Sequence, residues 1–238
     1  MSLRWSTTLI ALPLLAACGT SGSNPCKPPE ANFSVQGTNG TPYKVVGFNS
    51  GDTPAHVFMA SAADLLAPHT FYLINTNYPV TGSFVSDPNA TEDVPVFLRS
   101  PDLESVIATG VIAQSSDVPI TLNTGPSPID CPVAQSAIRI RVEMFTETTG
   151  AFDVPFVTTV GDENNSFLAC GLNRVCSTPT TIYFDNAQNS FDAIITKSIG
   201  DTQVVDLQVY VDEGSGETLR GTDRATQDNR TAKVHVEF

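Results

Sequence analysis

Thr70-Phe71-Tyr72-Leu73-Ile74-Asn75 and Thr181-Ile182-Tyr183-Phe184-Asp185-Asn186 are one passage written twice, 111 residues apart. Carried forward without a gap, the same shift sets Val80 on Phe191, Phe84 on Ile195, Val94 on Val205, Val96 on Leu207, Leu98 on Val209 and Gly110 on Gly221. With five extra residues in the last loop, Val118, Ile120 and Leu122 fall on Val234, Val236 and Phe238. Toward the front, Cys26 precedes Phe33 by seven residues as Cys131 precedes Ile138, and Pro42-Tyr43 pairs with Pro155-Phe156. Slipping a strand by one residue turns its whole apolar set to the other face, so a phase held over roughly fifty residues means that the same strands meet the same core in both halves. A duplicated unit is the reading that follows.

The unit is built of strands. Apolar and polar residues alternate in Phe33-Ser34-Val35, in Val94 to Leu98, in Ile138 to Val142, in Val205 to Val211 and in Val234 to Phe238, which buries one face and wets the other. Gly, Pro, Asn and Asp break the chain between these runs. No stretch keeps a helical period for three turns. The best candidate, Ser61 to Ala67, is stopped by Pro68. Thr124-Gly125-Pro126-Ser127-Pro128 is a turn-rich linker, which divides the chain into a first sandwich at residues 26–125 and a second at 126–238. Each has the size of a sandwich of seven to nine strands. The expectation is an all-β protein of two tandem antiparallel β-sandwiches. They resemble the immunoglobulin type, without its Cys-Trp-Cys hallmark, since the sole Trp lies at position 5.

Ahead of the duplicated part stand Arg4, an apolar run from Thr8 to Ala17, and Leu15-Ala16-Ala17-Cys18. The run is too short to span a bilayer as a helix, which takes about 20 residues, and has the layout of a secretory signal. Its end resembles the lipobox of bacterial lipoproteins. The resemblance covers residues 1–18 and implies removal of residues 1–17, a diacylglyceryl group on the Cys18 thiol and a further acyl chain, such as palmitate, on the freed amine. It also implies the cell envelope, and Gly19 in place of Asp after the lipidated Cys implies the outer membrane. Residues 18–25 then form a small polar tether. One acyl chain holds a protein only marginally, whereas two or three hold it durably.

Removing the signal takes away one Arg, so the formal charge of −13 becomes −14. Without a Lys/Arg cluster this excludes a nucleic-acid partner and docking on anionic lipid headgroups, both of which need a basic footprint. Four cysteines remain once Cys18 carries lipid. In an oxidising compartment they suggest two disulfides, Cys170 with Cys176 and Cys26 with Cys131. Their spacing is not that of a zinc site.

Reactive constellations are sparse. His56, His69 and His235 are the only candidates for a base near neutral pH, and His235 faces away from the core between Val234 and Val236. No nucleophile elbow, His-Glu-x-x-His or phosphate-cradling glycine loop occurs. A hydrolase reading would gather His69, Tyr72 and nearby carboxylates. Two acidic turns offer oxygens to calcium, one around Asp162 and Glu163 and one from Asp212 to Glu217, but neither has the spacing of a helix-loop-helix site. The glycines of the second suit a hairpin connection. The sequence therefore points to a non-catalytic, lipid-anchored envelope protein that binds a protein or glycan partner or serves as a structural accessory, with no cofactor. A hydrolase and a calcium-stabilised adhesion module are the alternatives.

Overall fold

The structure, a computed structural model, describes residues 30–51, 56–58, 65–76, 79–99, 105–125, 136–146, 154–163, 166–170 and 176–238. The signal, the tether, Cys26, Cys131 and the linker from Pro126 lie outside them. Among the described residues every regular element is a strand. The first half holds β1 (Ala31–Val35), β2 (Pro42–Ser50), β3 (His56–Phe58), β4 (Leu65–Leu66), β5 (His69–Ile74), β6 (Val80–Ser86), β7 (Val94–Arg99), β8 (Val106–Ile112) and β9 (Ile120–Asn123). The second holds β10 (Arg139–Phe145), β11 (Pro155–Asp162), β12 (Ser166–Cys170), β13 (Cys176–Ser177), β14 (Thr180–Phe184), β15 (Ser190–Lys197), β16 (Val205–Asp212), β17 (Glu217–Ala225) and β18 (Thr231–Glu237). Leu65 and Leu66, the described end of the stretch considered for a helix, are extended because they pair with Tyr43 and Pro42.

The pairing repeats strand for strand. One outer sheet runs β3-β2-β6-β9 with β4 on β2, and the other runs β12-β11-β15-β18 with β13 on β11. Between them a single eight-stranded sheet runs β17-β16-β10-β14-β5-β1-β7-β8. Its two halves are the same four strands in mirrored order, joined where β5 and β14 pair in parallel from Thr70 opposite Thr180 to Ile74 opposite Phe184. The two halves thus repeat one pairing pattern, and they are not beads on a linker. They share a sheet.

That shared position explains why β5 and β14 are apolar without alternation, since a strand buried on both faces reads as a continuous hydrophobic run. Phe71 and Leu73 enter the first unit's core with Phe33, Phe48, Val80 and Phe84. Tyr72 and Ile74, on the other side of the same strand, enter the second unit's core with Val142, Phe156, Phe191 and Leu207. In β14 Ile182 and Phe184 stay at home and Tyr183 crosses to the first core, where its ring lies 5.4 Å from that of Phe48. Each unit therefore lends its repeated tyrosine to the other. It follows that the outer sheets cover opposite faces of the shared sheet, and each leaves the far half of that face open.

Register refines the sequence alignment. Val96, Leu98, Leu65 and Val80 correspond to Leu207, Val209, Cys176 and Phe191 as the shift requires, and Tyr43 corresponds to Phe156. At the front, Phe33 opposite Phe71 matches Val142 opposite Ile182, not Ile138, so the equal spacing of Cys26 and Cys131 from Phe33 and Ile138 marks no equivalence. At the end, Leu122 opposite Gly82 matches Val234 opposite Ala193. The five-residue gap placed Val118 in the core, whereas it is 70% exposed. Asn75 and Asn186 end equivalent strands with φ of 56° and 54°, a region that Asn tolerates. Among the described residues their amide nitrogens bond the other unit's backbone and not the following turn. Asn75 Nδ2 donates to Asp185 O at 2.8 Å and Asn186 Nδ2 to Asn75 O at 3.2 Å, which ties the two units together.

Candidate functional site

The two open half-faces are the same surface in two copies, so they can be compared position by position. On the first unit a row of side chains runs across the sheet from Tyr72 through Asn32 to Arg99. On the second the same row reads Tyr183, Arg141 and Tyr210. The next row is Thr70, Ser34, Phe97 and Thr109 on the first unit, and Thr181, Glu143, Gln208 and Thr222 on the second.

The second face is closed by its own charges. Arg141, with its side chain 5% exposed, donates to Glu217 Oε2 at 2.8 Å, pairs with Glu143 and lies 3.8 Å from the centre of the Tyr210 ring. Arg139 holds Asp212 Oδ2 at 2.6 Å. Beside them a hollow of about 310 Å³ between Gln208 and Thr222 has Arg224 Nε already donating to Asp206 Oδ1 at 2.6 Å. Each of these guanidiniums has a carboxylate within ion-pair distance, as does Arg220 of β17, with Glu213 at 3.7 Å.

The first face carries one guanidinium and no such partner. Arg99 lies 5.4 Å from the Phe97 ring, and no carboxylate among the described residues lies within ion-pair distance of it. Ser34 stands where the second unit has Glu143. Asn32, directly across from Arg99, is 1% exposed, and neither its Oδ1 nor its Nδ2 has a hydrogen-bond partner. Leaving such a buried group unpaired costs about 1–3 kcal/mol, and a native structure that does so calls for a reason. Both residues line a polar groove of about 260 Å³ with Ser34, Thr70, Tyr72 and Ser177. One wall is β13, the edge of the other unit's outer sheet, where the Tyr72 hydroxyl lies 3.3 Å from Cys176 Sγ, within hydrogen-bond reach. The duplication thus makes the groove: the step where the second outer sheet ends against the open first face. Beyond Arg99 the face turns apolar, with Phe97, Val111 and Ile107 together, the last two 50% and 47% exposed.

The residues considered from the sequence are placed elsewhere. His69 and Tyr72 point to opposite faces of β5, since His69 stacks on Phe71 at 4.2 Å and Tyr72 enters the other core, so they form no joint site. His69 bonds Thr181 Oγ1 at 3.0 Å, and burial lowers its pKa to about 3, which makes it a poor base. His235 is exposed on β18 with Asp192 Oδ1 at 3.2 Å. Of His56 only the backbone, in β3, is described. The candidate calcium oxygens are committed within the protein. Asp162 accepts from Gln188 N at 3.1 Å and Glu163 from Asn189 Nδ2. Asp212 Oδ1 accepts from Gly214 N and Gly216 N, closing the β16–β17 hairpin, and Glu217 faces Arg141. No group of three or more His, Cys, Asp or Glu among the described residues is placed to hold a metal ion.

Sequence reasoning passed over Asn32 and Arg99. The signal available was the exchange of residue types between equivalent positions, Asn32 with Arg141 and Arg99 with Tyr210, which becomes readable only once the register of β1 on β10 is known. Comparison with family models, with curated proteins and with solved structures finds no match to this chain.

Proposed function

We propose that this chain is a non-catalytic, lipid-anchored protein of a bacterial envelope that acts by contact, and that its contact surface is the open face of the first unit. The observation that carries the reading is the asymmetry between two copies of one surface. The second copy satisfies its buried guanidinium with Glu143 and Glu217, whereas the first keeps an unpartnered amide at Asn32 and an unpaired Arg99 beside exposed apolar residues. Polar groups converging in a groove beside apolar area are what a binding site needs. Lipid on Cys18 and a tether over residues 18–25 would hold the body near the outer membrane, where a protein or a glycan is the partner.

A photo-crosslinking amino acid placed at Phe97, and in a separate strain at the equivalent Gln208, tests this in the cells that make the protein. Adducts from position 97 and none from 208 are expected. Equal adducts from both positions, or none from either, would overturn the assignment of the face. Fatty-acid labelling that persists in Cys18→Ala would overturn the anchor.

A further inference from the structure

We infer that the groove between Asn32 and Arg99 binds a carboxylate group that carries an amide or hydroxyl beside it, as at the C-terminus of a peptide or in an acidic sugar. The inference deepens the reading of the open face given above and rests on it. A guanidinium presents its donors in a planar fork that matches the two oxygens of a carboxylate. The Arg99 fork stands in the groove with no carboxylate of the described residues on it, in a chain that carries more than twice as many acidic as basic side chains. On the second unit the arginine of the same row, Arg141 at the position of Asn32, is held by Glu143 and Glu217, so the surface has an internal example of a guanidinium in this row taking carboxylates. Asn32 supplies the second half of the specification. Its amide offers donors and an acceptor from a position 1% exposed, and neither side is used within the protein. A ligand that satisfies both must present an acceptor and a donor next to its acid group. Ser34 and Thr70, paired across β1 and β5 in the neighbouring row, add hydroxyls to the same groove.

Size and charge narrow the class. At about 260 Å³ the groove is just below the range of about 300–1,000 Å³ typical of small-molecule pockets, which suits a dipeptide end or a single sugar. The strongly negative chain repels a doubly charged phosphate more than a singly charged carboxylate.

The full mature chain in detergent micelles is titrated by calorimetry with N-acetyl-alanyl-alanine, its C-terminal amide, glucuronic acid and glucose. Binding of at least one acid, with its neutral partner at least tenfold weaker, is the expected result. Which acid binds separates the peptide source from the sugar source. Arg99→Gln should weaken binding tenfold or more, and Arg99→Lys should recover only part, because an ammonium lacks the fork. Ser34→Glu should abolish binding while keeping Arg99, by placing a carboxylate where the second unit has Glu143. Thermal unfolding of each variant confirms that it is folded. Equal binding of an acid and its neutral partner, no binding of either acid, or an unchanged affinity in Arg99→Gln would overturn the inference. Crosslinking at Phe97 would still report on the open face by itself, so the two readings fail separately.

Discussion

His69 ties the stability of the protein to pH in a way that follows from its burial. Desolvation lowers its pKa from the ordinary 6.5 to about 3, so the folded protein keeps the ring neutral while the unfolded chain protonates it below pH 6.5. Between these values the unfolded state binds the extra proton, and stability is lost as pH falls. Each pH unit in that window is worth about 1.36 kcal/mol, so a drop to pH 5 costs about 2 kcal/mol relative to pH 8. Asp87 and Glu92, whose hydrogen bonds hold their pKa values below those of ordinary carboxylates, stay ionised at pH 5 and add little there. Urea unfolding of the parent and of His69→Gln at pH 8 and pH 5 isolates the effect. Glutamine keeps a partner for Thr181 Oγ1 but does not titrate. The parent should lose about 2 kcal/mol more than the variant between the two pH values. Equal losses in both proteins would show that His69 is solvated when folded and would remove the reason for setting it aside as a base.

Three further outcomes are expected. Tyr183→Ala, which empties a fully buried aromatic site, should cost about 3–5 kcal/mol and lower hydrogen-exchange protection at Phe48 and Phe84 in the first unit, whereas protection lost only after residue 139 would contradict the crossed tyrosines. Gly82→Ala should lower the melting temperature, because its Cβ would meet the Phe33 ring at 2.7 Å; overpacking of this kind costs about 1–3 kcal/mol, and an unchanged melting temperature would show that the ring can move aside. Peptide mapping should find Cys170 joined to Cys176: their strand partners Thr158 and Phe156 are two residues apart on β11, a separation of about 6.8 Å at the upper end of the range that a disulfide spans, and a Cys170–Cys131 link would refute the pairing.

Much of the fold was legible in the sequence because period-two alternation and a repeated phase are local properties. Val94 to Leu98 and Val205 to Val211 showed their buried faces directly. The shared sheet was legible too, but its signal was of another kind: Phe71-Tyr72-Leu73-Ile74 and Ile182-Tyr183-Phe184 do not alternate, as strands with two buried faces do not. Where loops differ in length, equal spacing does not mark equivalent positions, as Phe33 with Ile138 and Val118 with Val234 show. The groove was not legible, because Asn32 and Arg99 are 67 positions apart and a lone Asn and a lone Arg carry no motif. Only pairing across β1 and β7 brings them together, and only the matching row on the second unit shows that their charge balance is unusual.

The groove exists only if the two halves are one body, with the second outer sheet ending against the first unit's open face. Native-state hydrogen exchange of the full chain across a denaturant series tests this most directly. The amides of Phe71 to Ile74 in β5 and of Ile182 to Phe184 in β14 should exchange only through global unfolding, with one common free energy for both strands. Distinct opening free energies, with one strand exchanging while the other stays protected, would contradict the shared sheet and the site built on it.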